Sequence, residues 1–272
     1  DITDAALSAP TFGWSKPVGK PGRAEVTIDL ENGLVVDIQK FMLTAADLDI
    51  QGAAKYALDG TGLERIDFAH IAFGRTNMKG ALIPKNDGGW EAGFHGPSFD
   101  LSPIWQEITS DDQGDEEEHP LLEGLTLAIE FERVWLDQSQ ALFDVSGTYA
   151  RADNVWQTVI MNSRVGEDAS FDLTISPRPD GNRDFAMHAD NAGAVLKALQ
   201  LYENMQGGRL RIAGIYDDAA PGQPLKGNIA VDDYRVINAP ALAHVVSIMS
   251  LTGILDALEG EGLAFQKLEI PF

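Results

Sequence analysis

The sequence predicts a mainly β protein: a long, curled antiparallel β-meander forming an open groove, a half-pipe, with two short helices in the C-terminal half. Three observations carry that expectation. Apolar and polar residues alternate with period two over most of the chain. Turn-forming clusters such as Asn32-Gly33, Asp87-Gly88-Gly89 and Asp180-Gly181-Asn182 interrupt the alternation at hairpin spacing. Glycine recurs on the apolar parity, at Gly52, Gly80, Gly96, Gly147, Gly214 and Gly227. Empty volume in a packed core costs about 24 cal/mol per Å³. Glycines at such positions therefore imply a sheet that curls tightly, or a concave face that holds something besides its own side chains.

In the first strand Ala24, Val26, Ile28 and Leu30 alternate with Arg23, Glu25, Thr27 and Asp29. A two-residue loop at Asn32-Gly33 would set Ile28 opposite Asp37 and put the next apolar set on the wrong side. A three-residue loop, Glu31 to Gly33, pairs Leu30 with Leu34, Ile28 with Val36 and Val26 with Ile38, and is the expected register. Leu48, Ile50, Ala54, Tyr56 and Leu58 then form a strand running to the turn Gly60-Thr61-Gly62. Met78 and Leu82 face Trp90, Ala92 and Phe94 across a further hairpin. Leu43 to Ala53 echoes Ile71 to Ala81, a repeat of about one hairpin.

Residues 1–110 thus read as one part of the groove, and the acidic run 111–120 as a solvated connection without apolar anchors. Residues 121–272 continue the groove. Leu125, Leu127, Ile129 and Phe131 begin it, followed by Phe143, Val145 and Tyr149, then Phe171, Leu173 and Ile175, then Phe185 and Met187, with another turn at Asp153-Asn154. Two segments have helical period. Asp190 caps a helix near 191–206 with Val195, Ala198, Leu199, Tyr202 and Met205 on one face, stopped by Gly207-Gly208. The second runs over 240–258 and is apolar almost all round, so protein or lipid must cover it.

Composition removes several function classes. The formal net charge of −22 repels a phosphate backbone, so nucleic acid is not an expected partner. The absence of cysteine excludes disulfides, thiolate catalysis and Cys-ligated zinc. The 272 residues contain no Gly-x-Ser-x-Gly, no phosphate-loop lysine and no His-Glu-x-x-His. His188 and Asp190 read as a strand-end pair and His244 as a packed residue. No catalytic residue, metal or cofactor is expected, and the chain is not expected to be an enzyme. Its opening, Asp1-Ile2-Thr3, reads as an internal fragment of a larger protein.

One block of residues is more specific. The run Asp233-Tyr234-Arg235-Val236-Ile237-Asn238-Ala239-Pro240-Ala241-Leu242-Ala243, with Ser250-Leu251-Thr252-Gly253 and Gly260-Glu261-Gly262-Leu263-Ala264-Phe265, resembles the C-terminal region of AsmA-like proteins. These are the YhdP- and TamB-type lipid-transfer proteins of Gram-negative bacteria. Asp190 to Leu196 with Gly207-Gly208, and Gly13-Trp14-Ser15-Lys16 with Gly19, are similar to the same pattern. Asn191 departs from it, standing where a second acidic residue is expected. The resemblance implies a parent protein anchored in the inner membrane and crossing the periplasm as a β-groove. That groove would carry phospholipid, or another acyl-chain lipid, between inner and outer membrane and support outer-membrane integrity. Other envelope proteins are implied as partners.

On this reading Val26, Ile28, Ile50, Tyr56, Met78, Leu82, Phe94, Ile129, Phe131, Val145, Phe171 and Leu173 line the groove and solvate acyl chains. Leu242, Val245, Val246, Met249, Leu251, Ile254 and Leu255 form a helix that caps the groove or contacts a bilayer. The alternative is an interaction module that assists outer-membrane protein biogenesis by offering strand edges to a client.

Overall fold

The computed structural model describes every residue except 32–33, 58–61, 87, 110–123, 153–154, 167–168 and 238–261. The acidic run 111–120 and the expected helix over 240–258, with Leu242, Val245, Val246, Met249, Leu251, Ile254 and Leu255, lie outside the described residues. The chain divides into two compact units, Asp1–Trp156 and Gln157–Phe272. The protein is mainly β, and strands β3 to β16 follow chain order in an open, mostly antiparallel sheet that does not close into a barrel.

In the first unit, β1 (Leu7–Ala9) and β2 (Trp14–Lys16) form a small hairpin through a 3₁₀ turn at Pro10–Phe12. Lys16 is only 1% exposed. Its Nζ donates to the carbonyls of Ala5 (2.7 Å), Thr3 (3.2 Å) and Pro17 (3.4 Å), which supply the acceptors a buried ammonium requires. The main strands are β3 (Gly22–Glu31), β4 (Leu34–Ala45), β5 (Leu48–Tyr56), β6 (Leu63–Phe73), β7 (Thr76–Pro84), β8 (Trp90–Asp100), β9 (Thr126–Trp135) and β10 (Ala141–Ala152), with helix α1 (Ser102–Thr109) after β8.

The β3–β4 hairpin corrects the expected register. Leu30 pairs with Val35, not Leu34, and Glu31 pairs with Leu34. The parity conflict of the two-residue loop is resolved by two register shifts, between Thr27 and Ile28 and between Asp29 and Leu30. They bring Ile38 opposite Ile28 and Phe41 opposite Val26, so the apolar sets meet after all. The sequence repeat does correspond to equivalent hairpins. Ala46 (φ 55°) and Gly74 (φ 50°) occupy matching turn positions, joining β4 to β5 and β6 to β7.

Two features of this unit were not foreseen. β8 and β9 run parallel, Phe94 beside Ile129 and Gly96 beside Phe131, instead of continuing the antiparallel meander. A parallel neighbour requires a crossover, and α1, also unforeseen, lies in that connection. Asp100 organises its start by accepting from the backbone N–H (3.1 Å) and Oγ (2.5 Å) of Ser102. Arg75 donates twice to Asp100, at 3.0 Å each, and once to the Asp137 carbonyl at 2.9 Å, while its guanidinium lies 4.6 Å from the Trp135 ring centroid.

The second unit is a regular meander: β11 (Val155–Val165, beginning just before the unit boundary), β12 (Ala169–Pro177), β13 (Arg183–Ala189), β14 (Met205–Tyr216), β15 (Leu225–Val236) and β16 (Leu263–Pro271). Helix α2 spans only Ala192–Ala198, not 191–206, and its N-cap is Asn191, not Asp190. Asp190 instead accepts from Ser170 Oγ. Gly207 and Gly208 belong to β14 and do not end a helix. A Cβ at Gly208 would press on Tyr234, Val231 and Ala192, so a bare Cα lets α2 settle against the sheet. Ala192, Val195 and Ala198 are fully buried there. Val236 pairs with Leu263, and Tyr234 with Phe265, whose rings stack at 5.3 Å.

Candidate functional site

Strand alternation and the register place most of the expected lining residues of the first unit on one face. Three rows cross the strands. Val26, Phe41, Gly52, Phe68, Gly80, Phe94, Ile129 and Gly147 are successive pairing partners from β3 to β10. Ile28, Ile38, Ala54, Ile66, Leu82, Ala92, Leu127 and Tyr149 make the second row. Ile50 and Met78, joined through Ile71, belong to the third, with Phe131 and Val145 paired on the same parity. Tyr56 follows Ala54 by alternation at the end of β5.

Exposure divides these residues. Val26 (59%) and Ile28 (46%) stand out on β3, while Ile50, Tyr56, Met78, Leu82, Phe94 and Ile129 are half-buried. Phe131 and Val145 are covered by the protein itself, at 3% and 2%. In the second unit Phe171 is likewise buried, and Leu173 is half-buried in a row with Met161, Met187, Ile212 and Ile229.

Gly52, Gly80, Gly96, Gly214 and Gly227, on the apolar parity, are filled positions. A Cβ at Gly52 would collide with the Asp67 carbonyl and the Phe41 ring, and one at Gly80 with the Gly93 carbonyl and the Phe94 ring. Phenylalanine and glycine thus alternate along the first row from Phe41 to Phe94, with the Phe41 ring against Gly52 and the Phe94 ring against Gly80. The rings also approach one another, Phe41 to Phe68 at 5.9 Å and Phe68 to Phe94 at 6.3 Å. Close backbone approach accounts for these glycines; room for a ligand at the Cα does not. Phe41, Ile66 and Phe68 were missed as lining residues, although the alternation of Ile66 and Phe68 with Arg65 and Asp67 was visible in the sequence.

A hollow of about 1020 Å³ in this unit is bordered mainly by the opposite parity. Ala53, Ala81, Gly93 and Ala128 keep its floor low, and Lys40, Arg65, Lys79, Glu91, His95 and Glu130 are among its polar borders. Of the expected lining only Phe94 and Ile129 touch it. A Cβ at Gly93 would meet nothing within 4 Å. The first unit therefore presents an apolar face and, behind it, a polar recess.

Titratable groups here are positioned by structure. Burial pushes the Tyr149 hydroxyl up to about 12. Asp100 sits below the usual carboxylate range because hydrogen bonds from Arg75 and Ser102 outweigh its burial. Asp47 is lowered by the backbone N–H of Gly74 and by Trp14 Nε1, which donates at 3.0 Å. In the second unit His188 Nδ1 lies 3.0 Å from Asp172 across β12 and β13. Among the described residues, no group of three or more His, Asp or Glu side chains is arranged to hold a metal ion, and no helix is long and apolar enough to cross a membrane. No family model, curated protein or solved structure matches the chain.

Proposed function

We propose that this chain is a segment of a lipid-transfer groove, shielding the acyl chains of phospholipid from water as part of a larger envelope protein. The observation that carries the reading is the apolar face of the first unit. It runs without interruption over eight consecutive strands, with most of its side chains half-exposed instead of sealed beneath a second layer. Contiguous apolar surface on this scale marks a binding surface for protein or membrane-derived ligands. An acyl chain gains about 0.8 kcal/mol for each methylene it withdraws from water onto such a surface. Side chains here act by solvation, not by reaction. The resemblance to AsmA-like proteins supports a periplasmic location, with the parent protein anchored in the inner membrane.

The test replaces half-exposed residues of the face, because Phe131 and Val145 are too buried to accept a charge without unfolding the sheet. Leu82→Asp with Ile129→Asp should reduce copurifying phospholipid, measured by mass spectrometry of extracted lipid, at least fivefold while far-UV circular dichroism is retained. Unchanged lipid yield from the folded double variant overturns the reading.

A second reading is supported by β3. This edge strand pairs only with β4 among the described residues and exposes Val26, Ile28 and Leu30. Strand addition at such an edge would fit an assembly module for outer-membrane proteins. Photo-crosslinkers at Val26 and Ile28 separate the two, since the conduit gives lipid adducts and the assembly module peptide adducts.

A further inference from the structure

Among the described arginines, Arg151 is distinguished by a buried Nε that has no hydrogen-bond partner. Arg65 and Arg75 each meet a carboxylate, as do Arg178, Arg183, Arg209 and Arg211 in the second unit, which is expected in a chain with 42 acidic side chains. Arg151 has no ion pair among the described residues, and its buried Nε has no hydrogen-bond partner. Its guanidinium lies 5.7 Å from the Trp156 ring centroid. A buried donor without an acceptor is destabilising, and a guanidinium is built to grip phosphate with paired N–H groups. On β10 it follows Gly147 and Tyr149 on the apolar parity, and its backbone N–H donates to Leu125, so it stands where the apolar face ends.

We propose that Arg151 receives the phosphate of an amphiphile whose hydrocarbon lies on Tyr149, Leu127 and Ile129. This rests on the lipid-groove reading above and adds a headgroup site to it. Trp156 lies beside the guanidinium, whose terminal nitrogens are the groups that reach the anion, the Nε being buried. Arg133 supplies the internal comparison. It also lies over aromatic rings, Trp135 at 5.0 Å and Phe143 at 5.2 Å, but it is exposed to solvent.

The experiment measures binding of the full chain to fluorescent phosphatidylglycerol and to diacylglycerol bearing the same acyl chains. Wild type and Arg133→Gln should prefer phosphatidylglycerol about tenfold, the scale of one charge-assisted hydrogen bond. Arg151→Gln should lose that preference while holding diacylglycerol as tightly as wild type, which also reports that it is folded. Arg151→Lys should recover part of the preference. Equal affinity of wild type for the two lipids, or an undiminished preference in Arg151→Gln, overturns the headgroup site and leaves the groove standing. Failure of wild type to bind either lipid overturns both. Inorganic phosphate bound by wild type, lost in Arg151→Gln and unaccompanied by any preference between the lipids, would assign Arg151 to a free anion and also overturn the proposal.

Discussion

The two units solve the same problem differently. In the first, every antiparallel pair from β3 to β8 carries a register shift; in the second, none of the pairs from β11 to β16 does. Their glycines differ accordingly. Gly52 and Gly80 face phenylalanines, whereas Gly214 faces Gly227, where an added Cβ would strike the Ala213 carbonyl and the Gly214 Cα. A bulge adds local twist and bends a strand, and a ring over a bare Cα restores the cover that the bend would lose. Period-two sequence is thus compatible with a strongly bulged sheet and with a regular one. Pairing partners decide which is built.

The largest effect that would test this contrast is at Gly80. Gly80→Val must displace the Gly93 carbonyl and the Phe94 ring, and should cost about 3 kcal/mol or more. On the partner strand Gly93→Ala projects into open space from a backbone with ordinary φ. It should be neutral or stabilise by about 0.4–1 kcal/mol through the unfolded chain. Amide hydrogen exchange locates the effect. Protection should fall across β5 to β8 in Gly80→Val, and unchanged protection there would refute the ring-over-glycine account.

Next in size are the carboxylates that anchor hairpin ends in both units. Arg75 grips Asp100 in the first, and Arg183 grips Asp218 in the second, at 2.6 to 3.1 Å, with its guanidinium 4.5 Å from the Tyr216 ring centroid. Both carboxyl pKa values are lowered in the folded protein, Asp100 against the opposing effect of burial and Asp218 chiefly by hydrogen bonding from Arg183. The unfolded chain therefore binds more protons than the folded one in acid. Stability from these groups is complete above the ordinary carboxylate value near 4 and is lost as pH falls through the lower folded values. Asp100→Asn should cost about 1–2 kcal/mol at neutral pH. It should also flatten the decline of melting temperature below pH 4. A parallel, equally steep decline in the variant would show that Asp100 contributes nothing to the acid transition.

How far the sequence reached depends on the range of the interaction involved. Alternation is local, so the strands around Val26, Ile50, Ile129 and Phe171 were legible, as was the hairpin repeat that places Ala46 and Gly74 at equivalent turns. Bulges are decided by two strands together, which is why the β3–β4 register differs from the one that the parity of β3 and β4 predicts. The parallel β8–β9 pair was hidden because α1 is short and contributes little period of its own. Of the site, the parity of the lining residues was readable, but their burial was not. Ile129 and Phe131 are two residues apart on one face, yet one is half-exposed and the other sealed, a difference set by neighbours distant in sequence such as Phe99, stacked on Phe131 at 5.5 Å. Arg151 could not be singled out at all, since the burial of its Nε without a hydrogen-bond partner is a fact of three dimensions.

The smallest expected effect distinguishes two adjacent residues at the start of α2. Asp190 and Asn191 both have side chains suited to capping, and sequence alone favoured the first. Asn191 Oδ1 accepts from the Ala194 backbone N–H at 3.0 Å, satisfying one of the donors that a helix start leaves without an intrahelical partner, while Asp190 is engaged by Ser170. Asn191→Ala should therefore cost about 1 kcal/mol, whereas Asn191→Asp should retain the cap and gain slightly from the helix dipole. Asp190→Ala removes only an exposed bond between β12 and the end of β13, and should cost less than about 0.5 kcal/mol. Thermal unfolding of the three variants ranks them. Because α2 packs on β14 through Ala192 and Gly208, loosening the cap should raise amide exchange in β14 and leave β5 to β8 of the other unit as protected as before. If Asp190→Ala proves the more damaging, the helix begins one residue earlier than its capping geometry indicates.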